Sequence, residues 1–337
     1  MSFLLGQGPD QDVVLSSRVR LARNLAGFPF PPTLGEGQAE EVEARTLSAV
    51  KDLSAPLRFH QMRAMDPLDR QLLAENHLIS RDLVAKVAEG SALIAEDESM
   101  GIMVNEEDHL RIQGMGPGLQ LQQAARNALF LENTLETHVP LAFHPRLGYL
   151  TCCPTNLGTG MRASIMMFLP GLAMTGALKA TVEAIGQVGL TVRGLYGEGS
   201  DAMGHMVQVS NQITLGVAEQ DILQMVESVA RQVIEQEREA RSSLAQRRHL
   251  ELEDKLFRSY GLLTHARKMD SRECMALLAD VRLAMELGWL PEIERSALTQ
   301  VMLLSQPAGL QKHAGRALDA EERDIIRAQV VRTGFLG

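Results

Sequence analysis

The chain has 337 residues, 45% of them hydrophobic, a formal net charge of -9 and three cysteines. That length supports a sizeable core and two domains, while the acidic balance argues against a general polyanion binder and leaves nucleic acid outside the expected partners. Three cysteines, two of them the adjacent Cys152 and Cys153, make no disulfide framework and fit a reducing cytoplasm, and no run approaches the ~20 apolar residues of a membrane span, so neither membrane association nor export is expected.

From the N-terminus, Ser16-Ser17-Arg18-Val19-Arg20 sets two arginines two residues apart, so on an extended chain both face one ligand. Short apolar runs between glycines and prolines predict strands over Ser91–Ala95, Gly101–Val104, Gly148–Cys152, Leu190–Leu195 and His205–Val209. Helical patterns at Leu119–Leu131 and Leu172–Ile185 lie among them. From about Ala218 the texture turns helical. Ile222, Leu223, Val226, Val229, Ala230, Val233 and Ile234 recur at three- and four-residue steps and predict a helix ending near Arg241. Four more helical stretches follow, at Leu250–Leu263, Arg272–Leu287, Glu292–Leu304 and Glu321–Val331, punctuated by Gly288, Pro291 and Pro307. The expected domains are therefore residues 1–241 and 242–337, divided near Ser242 and Ser243.

Chemistry concentrates in Asn105-Glu106-Glu107-Asp108-His109-Leu110-Arg111, which sets three carboxylates within five residues of an arginine. A carboxylate accepts paired hydrogen bonds from a guanidinium, and an arginine offers the same fork to a phosphate. No glycine-rich turn leads into Gly-Lys-Ser or Gly-Lys-Thr, so a bound nucleotide needs another cradle. Arg18, Arg20, Arg111 and Arg162 offer a cage of arginines, although each one alone reads as a solvated charge. Cys153 stands at a strand end before Pro154, where a neighbouring bound guanidinium and several arginines would favour a thiolate able to hold a cation. Cys152, on the opposite strand face, and Cys274, in a helical pattern, read as quietly buried.

Five segments in order, Leu15–Asn24, His77–Ser80, Asn105–Arg111, Cys153–Ser164 and Arg193–Ser200, resemble the phosphagen (guanidino) kinase family, and within it the bacterial protein-arginine kinases of the McsB type. The helical remainder resembles the tail of those enzymes. The resemblance implies an α+β fold, a catalytic domain with a mainly antiparallel sheet flanked by helices, followed by an all-helical C-terminal domain. It implies ATP held by Ser16-Ser17-Arg18-Val19-Arg20, His77, Arg111, Arg162-Ala163-Ser164-Ile165-Met166 and Arg193-Gly194-Leu195-Tyr196-Gly197-Glu198, with His77 against the adenine. Mg²⁺ would accompany the ATP, held by phosphate oxygens and water without dedicated protein ligands. Glu107 matches the catalytic carboxylate and Glu198 the second one, with Cys153 as the third catalytic group. Asp201 stands where relatives often carry glutamate.

Creatine and arginine kinases carry a small helical domain before the first arginine motif, whereas only about 15 residues precede it here, too few for such a domain. That favours an open site admitting an arginine on a protein. Arg323-Asp324-Ile325-Ile326-Arg327-Ala328 matches the family's phosphoarginine pocket, so Arg323, Asp324, Arg327 and Ala328 are expected to sense the product. By spacing alone the same stretch is an exposed helix with a weak ion pair. The implied function is ATP-dependent phosphorylation of protein arginines by a cytoplasmic homodimer. It would mark proteins for a Clp protease and relieve a heat-shock repressor, with an activator protein and a Clp unfoldase as partners. A small-molecule arginine kinase and a non-catalytic phosphoarginine-binding adaptor are the alternatives.

Overall fold

A computed structural model describes residues 3–194 and 203–336. In chain order its elements are β1 (Val14–Arg23), α1 (Glu36–Val50), β2 (Leu57–Gln61), α2 (Pro67–Glu75), α3 (Arg81–Ala85), β3 (Ser91–Ala95), β4 (Met100–Val104), β5 (Leu110–Pro117) and α4 (Leu121–Glu136). Then come the short pair β6 (Phe143–His144) and β7 (Gly148–Tyr149), β8 (Met161–Phe168), α5 (Pro170–Met174), α6 (Leu178–Gln187), β9 (Leu190–Gly194) and β10 (Met206–Asn211). The remainder is helical: α7 (Glu219–Arg247), α8 (His249–His265), α9 (Ser271–Glu286), α10 (Arg295–Leu304), α11 (Pro307–Ala314) and α12 (Ala320–Leu336).

Eight strands form one sheet in the order β2-β3-β4-β5-β1-β8-β10-β9, and every neighbouring pair is antiparallel. Successive side chains of a strand point to opposite faces. In β1 this sends Val19 and Leu21 to the back, where they join Ile112, Ala163 and Ile165 and meet Ala124, Ala128 and Leu131 of α4 and Val226, Ala230 and Val233 of α7 in the main core. Gly114 allows that close approach, because a Cβ there would lie 2.0 Å from the Ala124 carbonyl oxygen.

Among the described residues, the front face is covered at its two flanks. On one side Met62, Leu78, Ile79 and Leu83 pack on Ala92, Ile94, Met103 and Met115. On the other, Leu15, Phe168 and Met206 are buried with Leu256, Met275 and Leu278 of the C-terminal helices. Between the flanks the described residues leave a cleft on the front face.

Three expectations change. Only Gly148 and Tyr149 of the 148–152 stretch are strand, because the Cys152 amide donates to the Asp108 side chain (2.7 Å) and not to a neighbouring strand. The 172–185 pattern is two helices, broken where Gly176 takes a φ of 76°. The helix expected to stop near Arg241 continues to Arg247, since buried Leu244 prolongs its apolar face, and it passes through Ser242 and Ser243 without a linker. No helix among the described residues is long and apolar enough to cross a membrane.

Candidate active site

Strand register gathers the arginines. Arg20 lies directly opposite Arg162 on β8 and Gln113 on β5, Arg18 opposite Ser164 and Met115, and Ala22 opposite Arg111. Directly opposed residues share a face, so Arg18, Arg20, Arg111 and Arg162 all rise from the front of the sheet. Burial pushes the Arg18 guanidinium down to about 10, with Arg111 and Arg162 adding to the effect. Arg20 falls well below its ordinary value, again mainly through burial and then through Arg18, Arg111 and Arg162, with Glu106 opposing. Such crowding of like charge is unfavourable until an anion arrives. Arg162 also donates to Ser210 Oγ at 3.2 Å.

A cavity of about 490 Å³ opens over Arg18 and Arg20, lined by these and by Ser16, Ser164, Met166 and Gln208 from the sheet, His77 and Arg81 from the α2–α3 region, and Met275, Met302 and Gln306 from the tail, while Arg111 and Arg162 lie outside its lining. His77 holds a φ of 61°, a left-handed conformation that histidine adopts more readily than most residues. Burial, then Arg18 and Arg81, push its imidazole down to about 4, so a neutral ring faces the cavity at pH 7. A flat, uncharged wall beside a cluster of cations suits a base attached to a polyphosphate.

The β4–β5 turn decides how its carboxylates divide. Asn105 has a φ of 56°, its amide donates to the His109 carbonyl at 2.8 Å, and its Nδ2 donates to the Ala39 and Glu89 carbonyls at 3.0 and 3.2 Å. Asp108 is spent on structure, accepting from Asn24 Nδ2 (2.6 Å) and the Cys152 amide (2.7 Å). Glu106 turns inward, 1% exposed, and accepts from Arg111 Nη1 at 2.7 Å and from Ser80 Oγ. Its burial raises the carboxyl pKa, against the opposing pull of Arg111. Glu107 turns outward with its side chain 39% exposed, 3.4 Å from Arg111 Nη2 and 3.4 Å from Asn156 Nδ2.

Asn156 belongs to the loop that carries Cys153, whose Sγ sits 3.0 Å from Thr155 Oγ1. Thr214 Oγ1 pins that loop by donating to the Thr155 and Leu157 carbonyls at 2.9 and 2.7 Å. Gly158 makes the closure possible, with a φ of 102° and the Thr214 carbonyl 2.2 Å from where a Cβ would stand. Cys152 is the inert neighbour: burial, then Asp108, push its thiol up to about 12.

Not every expected residue reaches the cleft. Ser17, Val19, Ala163 and Ile165 turn their side chains to the back face, each 0% exposed, because they alternate with the residues that point forward. They build the strands and do not offer side chains to a ligand. Arg193 pairs in register with Gln208 at the end of β9, beside Gly194. Leu195, Tyr196, Gly197, Glu198 and Asp201 lie outside the described residues. Gln208 and Arg81 line the cavity without having been singled out. Alternation along β10 would have found Gln208, whereas Arg81 has no local signal.

In the tail, the residues of the expected phosphoarginine pocket are engaged within the helical bundle. Arg327 is 2% exposed and donates to the Ser305 carbonyl (3.0 Å), the Met269 carbonyl (2.9 Å) and Asp324 Oδ1 (2.7 Å). Ala328 is fully buried, and Arg323 Nη1 donates to the Leu318 carbonyl at 2.9 Å. Both arginines thus donate to acceptors within the tail, Arg327 from a buried position.

An antiparallel sheet carrying four clustered arginines, bordered by a turn that turns one carboxylate outward, defines a phosphotransferase of the phosphagen-kinase class. Residues 39–240 match the family model described as ATP:guanido phosphotransferase, C-terminal catalytic domain, and residues 249–336 match the protein-arginine kinase McsB C-terminal domain. A lombricine kinase structure superposes with a TM-score of 0.61 at 26% identity, covering 71% of this chain and 69% of that one. The substrate-free duplicated taurocyamine kinase from Schistosoma mansoni gives 0.58 at 30% identity, covering 69% of this chain and 35% of that one. The protein-arginine kinase of Brevibacillus brevis is 46% identical over 336 residues, 98% of this chain and 94% of its own length. The chain belongs to the protein-arginine kinase family.

Proposed function

We propose that the enzyme transfers the γ-phosphoryl group of ATP to arginine side chains of proteins through the cleft on the front of the sheet. The observation that carries this reading is the position of Arg111. One of its nitrogens holds buried Glu106 and another lies 3.4 Å from outward-facing Glu107, which joins the arginine cage to a carboxylate. Arg18, Arg20, Arg111 and Arg162 clamp the phosphates and offset the charge that develops on the transferring group. His77 lies against the adenine. Glu107 aligns the acceptor guanidinium and takes its proton as nitrogen bonds to the γ-phosphorus and the bond to the ADP oxygen breaks. Cys153 helps to hold the cationic acceptor, and Glu198 supplies the second carboxylate.

Mg²⁺ suits this arrangement as a companion of the nucleotide. No cluster of three or more His, Cys, Asp or Glu among the described residues offers a metal site, and the arginines contribute no oxygen donors. The ion would be held by phosphate oxygens and water and would offset part of the phosphate charge.

In the cell, the phosphorylated proteins would pass to a Clp unfoldase and its protease, and phosphorylation of a heat-shock repressor would relieve it. The enzyme would act in the cytoplasm as a homodimer held through its helical tail, with an activator protein and a phosphoarginine-sensing pocket at Arg323, Asp324, Arg327 and Ala328. Incubation with ATP, Mg²⁺ and either free arginine or a denatured protein, with phosphoramidate detected under non-acidic conditions, tests the acceptor. Rapid turnover of free arginine alone would contradict a protein substrate.

A further inference from the structure

The cavity over Arg18 and Arg20 is completed by residues far apart in the sequence. Glu75 and His77, at and just beyond the end of α2, line it together with Met275, Met302 and Gln306 of the helical tail. The tail is therefore part of the cavity. Among the described residues, Gln306 is the polar member of the tail's share of that lining.

The backbone around Gln306 is pinned on both sides. Before it, Ser305 is 1% exposed and its carbonyl accepts from Arg327 Nε at 3.0 Å. After it, both oxygens of Glu75 accept from the Ala308 amide at 2.9 Å, and Oε2 accepts from the Gly309 amide at 3.1 Å. These amides belong to the first turn of α11, where no intrahelical carbonyl reaches them. A carboxylate of α2 thus caps a tail helix, at the end where negative charge is favoured. Lys312 and Asp69 pair across the same two helices.

The side chain of Gln306 is oriented as well. Its Nε2 lies 3.4 Å from the Met302 carbonyl and 3.5 Å from Met275 Sδ. Spending the amino group on those acceptors gives the amide oxygen the acceptor role toward a ligand. Adenine carries an exocyclic amine, a donor, at the position where guanine carries a carbonyl. An acceptor set against that edge pairs with the first base and is repelled by the second.

Resting on the reading of this cavity as the ATP site, we infer that the helical tail completes its base end. Gln306 is a specificity-determining residue that accepts from the adenine amine, and Glu75 is a positioning residue that holds Gln306 in place by capping α11.

Equilibrium titration of the full chain with ATP, GTP and inorganic tripolyphosphate, each with Mg²⁺, tests the inference. The parent is expected to bind ATP about tenfold or more tightly than GTP. Gln306→Leu keeps the bulk of the side chain and strips no cap from α11, since Gln306 makes no side-chain cap. It is expected to bring the two nucleotides to within about threefold of each other, with tripolyphosphate affinity unchanged. Because tripolyphosphate needs only the arginine cage, its retained affinity shows that the variant is folded. Glu75→Gln is expected to narrow the ATP preference in the same direction and to raise KM for ATP more than it lowers kcat. A simple loss of folded protein would lower kcat and leave KM in place. An ATP preference that survives Gln306→Leu, or a parent without one, would overturn the inference and leave the arginine cage standing. Failure of the parent to bind either ATP or tripolyphosphate would instead contradict the nucleotide reading beneath it, so the two failures are told apart.

Discussion

Arg20 and Arg162 stand directly across from each other on neighbouring antiparallel strands, each with its side chain on the front face of the sheet. Like charges so placed cost about 0.2–1 kcal/mol relative to a neutral pair. The cage is therefore held under mutual repulsion by the folded sheet and relieved by a polyanion. Arg162→Gln should remove most of the thermal stabilisation that ATP provides while changing the stability of the ligand-free protein by no more than about 1 kcal/mol. Paired melting curves with and without ATP check both halves, and an unchanged ATP-induced shift would separate Arg162 from the phosphates.

Glu107→Gln keeps the size of the side chain and its contact with Asn156 but removes the proton acceptor. Phosphoryl transfer should fall by about 10²–10⁴-fold, with nucleotide affinity changed only severalfold because Glu107 is assigned to the acceptor guanidinium and not to the nucleotide. Steady-state rates alongside equilibrium nucleotide titration separate the two. A variant that transfers at the parental rate would move the catalytic carboxylate elsewhere.

Buried beside Arg18 and Arg81, His77 is pushed down from its ordinary 6.5 to about 4. A lowered value in the folded protein means that the neutral ring's contribution is complete above pH 6.5 and is lost as pH falls toward 4. Nucleotide affinity should therefore show no inflection near pH 6.5 from this group. His77→Asn removes the titration and tolerates the positive φ. An inflection near 6.5 in the parent that disappears in the variant would contradict the assignment.

Arg327 satisfies two carbonyls and Asp324 from a buried position, so Arg327→Ala leaves three acceptors unpaired. A loss of about 3–5 kcal/mol is expected, measured by chemical denaturation. A variant that kept full stability and lost only a response to phosphoarginine would contradict this structural load and leave Arg327 with the sensing role alone.

How much could be read in advance follows from where each signal resides. The two-residue step from Arg18 to Arg20 is local, and it placed both on one face before any partner strand was known. The partners β5 and β8 lack a visible alternation, since helices bury the back of the sheet and side clusters bury much of the front, leaving both faces of these strands largely enclosed. The division between Glu106 and Glu107 depends on a left-handed Asn105 and on Ser80, 26 residues away from Glu106. The burial of Arg327 was not legible for a similar reason. Two of its acceptors lie 22 and 58 residues away, and no helical spacing reports them.

The central claim is that outward-facing Glu107 and the front-face arginines phosphorylate arginine on proteins. Its most direct test is mass spectrometry, under non-acidic conditions, of a denatured protein incubated with ATP, Mg²⁺ and either the parent enzyme or Glu107→Gln. The account predicts phosphate on arginine side chains with the parent and almost none with the variant. Phosphate on serine or threonine, or equal arginine labelling by both enzymes, would contradict it.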